Sequence, residues 1–396
     1  MIIGIPREVL AGERRVALVP DAVKALVGQG LEVLVQAGAG EESGHPDAEY
    51  EDAGARLAGE AAQVLGGADI VLKVQPPQPL SSGESSGPNG HEVDLITEGA
   101  ALICHLKPLD ELDLAQRLAK RRVNAFSMEF MPRITRAQSM DALSSQSNLA
   151  GYEAVLIAAA ALPRILPMMV TAAGTLKPSK ALIIGAGVAG LQALGTAKRL
   201  GAITAAYDTR PVVKEQVESL GARFVELDLD TGDAEDAGGY ATAQSEEFYQ
   251  RQRELLGEHV SQSDIVITTA LVPGQTAPLL IEETAVRAMR PGSVIVDLAA
   301  EKGGNCELTE ADQVIVRHGV TIMGYTNLPS RVPAHASQLY AKNLTVFLDH
   351  LIDEGTLKID LEDEITSGTL ITHEGEVVNE RIRGLLAERG TGSAEG

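Results

Sequence analysis

Ala181-Leu-Ile-Ile-Gly185-Ala-Gly187-Val-Ala-Gly190 is the stretch that decides the fold. Its apolar start reads as a short buried strand. Three glycines follow at the spacing of a nucleotide turn, and the chain continues as a helix to about Leu200. Gly185 permits the tight turn, Gly187 lets a pyrophosphate approach the backbone, and Gly190 lets the helix pack on the strand. The helix N-terminus adds amide donors and a partial positive charge. The next strand, Ile203–Tyr207, ends in Asp208. An acid there holds ribose hydroxyls and repels a 2′-phosphate, which favours NAD(H) over NADP(H). Arg210 argues the other way, because a guanidinium could accept that phosphate. Glycines that serve helix–sheet packing alone are the plainer reading of the same turn.

Upstream lies Arg133-Ile-Thr-Arg-Ala-Gln-Ser-Met-Asp141, followed by Ser144-Ser-Gln-Ser-Asn-Leu-Ala-Gly151. So many hydrogen-bonding side chains in a short span fit poorly in a packed helix interior. Arg133 and Arg136 can clamp an anion, Asp141 can orient either arginine, and Gln138 can pair with a carboxamide. The alternative is a linker whose polar residues cap helices.

The N-terminal third alternates strands and helices. Ile2–Ile5, Leu31–Val35, Ile70–Val74, Ala101–Cys104 and Val123–Ser127 read as strands. Helices are expected from Pro20 to Val27, over Ala48–Leu57 and around Asp110–Ala119. Gln75–Asp94, rich in Pro, Ser and Gly, reads as a surface loop. Beyond the glycine turn, Phe224–Leu227, Ile265–Thr269, Val294–Leu298 and Val320–Met323 are further strands. Asp228–Glu247 is an acidic, unpatterned insertion, either floppy or a lid. Pro333–Leu351 reads as a long helix. Repeated β-α-β units give an α/β fold of two Rossmann-like domains with parallel sheets separated by a cleft. The expected division is 1–145 plus 326–388, 146–325, and a disordered tail over 389–396.

The bulk numbers exclude several classes. With 55 acidic against 33 basic residues, the formal charge of −22 repels phosphate backbones, so no nucleic acid is expected. The charge reads first as a solvated surface and second as steering toward a basic partner. Cys104 and Cys306 are the only cysteines, which gives no disulfide framework. No histidine pair or His-Cys cluster suggests a metal, and lone histidines such as His105 and His335 read as structural. There is no G-x-S-x-G elbow. The start of the chain lacks signal-peptide character, and Glu153, Pro163 and Arg164 interrupt the apolar stretch Ala150–Met169.

The chain resembles the alanine dehydrogenase/nicotinamide nucleotide transhydrogenase superfamily over nearly its whole length. Both branches share Ile3-Gly-Ile-Pro-Arg-Glu, Glu13-Arg-Arg-Val-Ala17, Gln36-Ala-Gly-Ala-Gly40, the glycine turn, Val272-Pro-Gly274 and Asn327-x-Pro329. The Arg133–Gly151 stretch, with Gly238-Gly-Tyr240 and Glu246-Glu-Phe248, is similar to the NAD(H)-binding alpha subunit of NAD(P) transhydrogenases. Alanine dehydrogenases use a lysine and a histidine on the amino acid. This chain has Gln75 in Lys73-Val-Gln75-Pro-Pro, and Leu106 or Lys107 near the histidine position, with His105 adjacent. Glu301-Lys-Gly-Gly304 stands where that branch has Asp-Gln-Gly-Gly. Oxidising alanine needs a base at the amine and a cation at the carboxylate, so these departures disfavour it.

The resemblance implies that Arg133, Gln138, Asp141 and Ser144 contact the nicotinamide end of NAD(H). It implies that Val188, Asp208, Thr209, Arg210, Gly239, Gln252 and Leu271 line the rest, with Tyr240 on a lid. Arg15 matches both branches and is not ranked as catalytic. The implied reaction is hydride transfer between NADH and NADP+, driven by proton movement. NADP(H) would sit on a partner beta subunit, beside a separate membrane subunit. No hydrophobic tail follows Glu388. A homodimer is implied, peripheral on the cytoplasmic face of the inner membrane. An alanine-type oxidoreductase and a non-catalytic NAD-binding module are the alternatives.

Overall fold

A computed structural model describes residues 1–80, 90–229, 245–272 and 274–392. Gly239 and Tyr240, with most of the Asp228–Glu247 insertion, lie outside these residues. The chain forms two compact units, Met1–Gln146 with the chain from Ser330 onward, and Ser147–Pro329.

In the first unit, Ile2–Ile5 sits inside the sheet because its side chains are buried on both faces. On one side come Glu32–Gln36 and Arg56–Ala58. On the other come Ile70–Leu72, Ala101–Cys104 and Asn124–Ser127. All six are parallel, and their order reverses between Ile2–Ile5 and Ile70–Leu72. That is the doubly wound arrangement, with its ligand-binding crevice expected at the reversal. Leu370–His373 and Glu376–Val377 extend the sheet antiparallel, which the parallel reading of the sequence missed. The helix Pro333–Leu351 buries Tyr340, Leu344, Phe347 and Leu351 in the core shared with Ile3, Ile5 and Phe126. The Phe347 and Phe126 rings meet edge to face at 5.8 Å.

The second unit repeats the plan. Lys180–Ile184 has Ile203–Tyr207 and Arg223–Phe224 on one side. On the other are Ile265–Thr268, Val294–Asp297 and Val320–Met323. Val314–Arg317 adds an antiparallel edge. Alternation sends Ala181, Ile183, Ile267 and Val296 to one core, and Leu182, Ile184, Val266 and Ile295 to the other.

Three expectations need correction. The helix placed over Ala48–Leu57 ends at Asp52, because Gly54 takes φ +94° and the chain turns into the strand Arg56–Ala58. The ends of the Gln75–Asp94 stretch are not on the surface, since Gln75, Pro76, Pro77 and Glu92 are buried. Arg389, read as the start of a disordered tail, lies in the helix Glu380–Gly392, where its guanidinium meets Asp113 at 2.8 Å. Just beyond Pro167, Met169–Thr171 and Gly174–Leu176 form an exposed hairpin. No helix of the described residues is long and apolar enough to cross a membrane.

Candidate functional site

The glycine turn joins Lys180–Ile184 to the helix Val188–Arg199, at the carboxyl end of an interior strand of the second unit. Gly185 takes φ +95°, and a Cβ there would stand 2.5 Å from Thr269 Oγ1. A Cβ on Gly190 would stand 1.8 Å from the Gly185 carbonyl oxygen. Among the described residues nothing lies within 4 Å of a Cβ on Gly187, so its backbone is open there. Gly185 and Gly190 are closely packed against protein, and Gly187 is not. Val188 begins the helix, half-exposed.

Asp208 follows the adjacent strand and is 8% exposed. Its Oδ2 accepts the Ala186 N–H at 2.7 Å, which ties the acid to the glycine turn. Arg210 donates from its backbone N–H and its Nε to Oδ1, each at 2.9 Å, and from Nη2 to Oδ2 at 2.7 Å. Thr209 lies between them, partly buried. These residues fit a dinucleotide: an open turn, a helix N-terminus and a buried acid lie at the ends of adjacent strands. Gln252 is buried on the helix Glu246–Ser261, and its Nε2 donates to Tyr207 Oη at 2.8 Å. Its buried Oε1 has no protein partner among the described residues. Leu271 is 41% exposed.

Three residues that the sequence did not single out as site candidates organise this end of the sheet. Thr269 Oγ1 donates to the Gly185 carbonyl at 3.0 Å. Asp297, fully buried, accepts from Thr268 Oγ1, Thr309 Oγ1 and the N–H groups of Ala299, Asn305 and Cys306. Asn305 in turn exchanges hydrogen bonds with Ala270 and donates to the Pro278 carbonyl, fixing the chain on both sides of Leu271. The available signal was an acid closing an apolar strand, the pattern that marked Asp208.

In the first unit, Arg133 and Gln138 are exposed, with Gln138 in the short helical turn Thr135–Met140. Asp141 receives the N–H of Ser144 at 2.9 Å and the Ser144 hydroxyl, so it caps the helix Ala142–Ala161. The expectation that Asp141 orients Arg136 fails, since Arg136 pairs with Asp363 at 2.7 Å. Asp363 also caps Glu364–Thr369 and meets His350 at 3.0 Å. Burial opposes ionisation of Asp363, but the Thr366 amide, Arg136 and His350 together hold it well below the usual carboxylate range.

At the strand-order reversal of the first unit the charges compensate one another. Arg15 Nε and Nη2 fork onto Glu13 at 2.8 and 2.6 Å, and Arg15 Nη1 donates to Gln146 at 2.9 Å. Gln75 donates to Glu13 at 2.7 Å. Burial disfavours the Glu13 charge, yet Arg15 and Gln75 lower its pKa to about 2. Lys73, fully buried, lies 3.3 Å from Glu8 and 3.0 Å from Glu92. Burial pushes Glu8 up to about 7, with Lys73 opposing. His105 stacks on Tyr340 and lies 3.7 Å from Glu129.

The family models for the alanine dehydrogenase/PNT N-terminal and C-terminal domains match residues 4–150 and 154–380. The chain is 51% identical over 387 residues to an NAD(P) transhydrogenase subunit alpha protein of Rhodospirillum rubrum, covering 97% of this chain and 99% of that protein. The solved transhydrogenase from Sinorhizobium meliloti superposes with a TM-score of 0.81 at 44% identity, over 96% of this chain and 100% of that one. "Alanine dehydrogenase 2" of Staphylococcus aureus is 31% identical over 391 residues, 96% of this chain and 95% of its own. The chain belongs to the alanine dehydrogenase/PNT family, on its NAD(P) transhydrogenase alpha-subunit side.

Proposed function

We propose that this chain is the NAD(H)-binding subunit of a proton-translocating transhydrogenase. The observation that carries the proposal is the open glycine turn tied through Ala186 to Asp208. NADH, when bound, would supply a hydride to NADP+ held on a partner beta subunit. No proton is exchanged in that step, so the chain needs no acid or base of its own. Its residues bind and aim: Asp208 takes the ribose, the Val188 end of the helix takes the pyrophosphate, and Gln138 and Arg133 take the carboxamide. Asp141 and Ser144 hold the segment that carries them. Gly239, Tyr240, Thr209, Gln252 and Leu271 complete the proposed lining, with Tyr240 closing over it to exclude water.

Amino-acid oxidation is the weaker reading. The buried cations Arg15 and Lys73 are bound to Glu13, Glu8 and Glu92, and a substrate carboxylate would have to displace these partners. The relatives are named as an alpha subunit, which supports partner subunits, one of them in the membrane that conducts the protons. Docking there would place the chain peripherally on the cytoplasmic face of the inner membrane. Met168, Met169, Val170 and Leu176 are exposed around the hairpin and suit a second copy of the chain.

The test is stopped-flow hydride transfer from NADH to an NADP+ analogue. The chain alone is expected to bind NADH with little turnover, and added NADP(H)-binding beta subunit restores transfer. Reduction of NAD+ by L-alanine at a normal enzymatic rate would refute the proposal.

A further inference from the structure

We propose that Arg210 is an internal latch on Asp208, one that a dinucleotide must open before its ribose can be held. The inference rests on the NAD(H) reading of the second unit. A carboxylate offers about four lone-pair sites. Here Oδ1 accepts from the Arg210 backbone N–H and from Arg210 Nε, and Oδ2 accepts from Ala186 N–H and Arg210 Nη2. All the acceptor capacity of the acid is therefore in use. A ribose diol brings two further O–H donors to the same oxygens, and one or more of the present donors must leave.

The donors differ in their freedom to do so. The Ala186 N–H belongs to the glycine turn, whose shape is fixed by Gly185 and Gly190. The Arg210 N–H is next to Pro211, which opens the helical turn Pro211–Val213. The guanidinium alone sits on rotatable bonds. Its side chain keeps 13% exposure against 5% for Asp208, so it has a way out toward solvent. Releasing it from Asp208 breaks at least two charge-assisted hydrogen bonds, a cost that the diol only partly recovers. The latch thus holds NAD(H) affinity below what the acid could provide, as suits a subunit that must release its nucleotide each turnover. It also softens discrimination, because the paired arginine offsets the repulsion that Asp208 exerts on a 2′-phosphate.

The test is calorimetric titration of the full chain with NADH and, separately, NADPH. For Arg210→Met, NADH affinity is expected to rise on the order of ten-fold, the worth of one charge-assisted pair. NADPH affinity is expected to fall. Arg210→Lys keeps the charge but cannot fork onto both oxygens, and should bind NADH between the two. Circular dichroism confirms that each variant is folded. Weaker or unchanged NADH binding by Arg210→Met, with the parent chain binding normally, overturns the latch and leaves the nucleotide reading standing. Failure of the parent chain to bind NADH overturns both.

Discussion

Gly190 has no room for a side chain, since a methyl group would enter the carbonyl oxygen of Gly185. Residue-level constraints of this kind carry over from sequence to structure because they are local: turn, strand end and helix start lie within a dozen residues. Gln138 is a residue of another sort. It is exposed on a short helical turn. Its proposed work is to aim a carboxamide, and shortening it by one methylene disturbs geometry more than affinity. Gln138→Asn is therefore expected to slow single-turnover hydride transfer about ten-fold or more, with NADH affinity within about two-fold of the parent. Parallel losses in rate and binding, measured by stopped flow and calorimetry, would remove Gln138 from the positioning role.

At the scale of elements, the helix Ala142–Ala161 shows how one residue can serve two readings. Asp141 caps it through the Ser144 N–H and hydroxyl. Gln146, one turn on, reaches Arg15 at 2.9 Å and the Ala336 carbonyl at 3.1 Å. Removing the cap in Asp141→Ala should cost about 1 kcal/mol in urea unfolding of the first unit. Asp141→Asn keeps an acceptor and should recover most of that loss. If Asp141→Asn is stable but slow in hydride transfer, the carboxylate charge itself matters to the reaction. If stability and rate recover together, Asp141 acts through the helix alone. The polar Arg133–Gly151 stretch was legible as special, but its division of labour was not. Asp363, the partner of Arg136, lies 227 residues away in sequence, and no local pattern announces it.

At the scale of the whole molecule, stability responds to pH through groups that the units bury. Glu8, with a folded pKa near 7 against an ordinary 4.5, holds a proton in the native chain that the unfolded chain has released. Its contribution therefore weakens as pH rises from about 5 to about 7. Glu13 and Glu129 are held down near 2, so they stabilise above the ordinary carboxylate range and lose that contribution as pH falls toward 2. Glu8→Gln keeps an acceptor for the Val74 N–H and removes the titration. Its thermal midpoint should fall less than the parent's between pH 5 and about 7, with the acid limb unchanged. Identical pH profiles for the two proteins would show that Glu8 is already ionised at neutral pH.

The sequence by itself determined the α/β class, the strand carrying the glycine turn, the acid that closes the next strand and the family, because each is written in contiguous residues or in a period that repeats along the chain. Tertiary structure decided the antiparallel edges, the Asp297–Asn305 brace behind Leu271, and the compensation of Arg15 and Lys73. Those depend on which distant strands become neighbours: Glu8 and Lys73 meet only because Ile2–Ile5 and Ile70–Leu72 pair in parallel. The Arg210 fork on Asp208 is the instructive case. Both residues were visible as competing signals for NAD and NADP, and only their geometry showed that each is the other's partner.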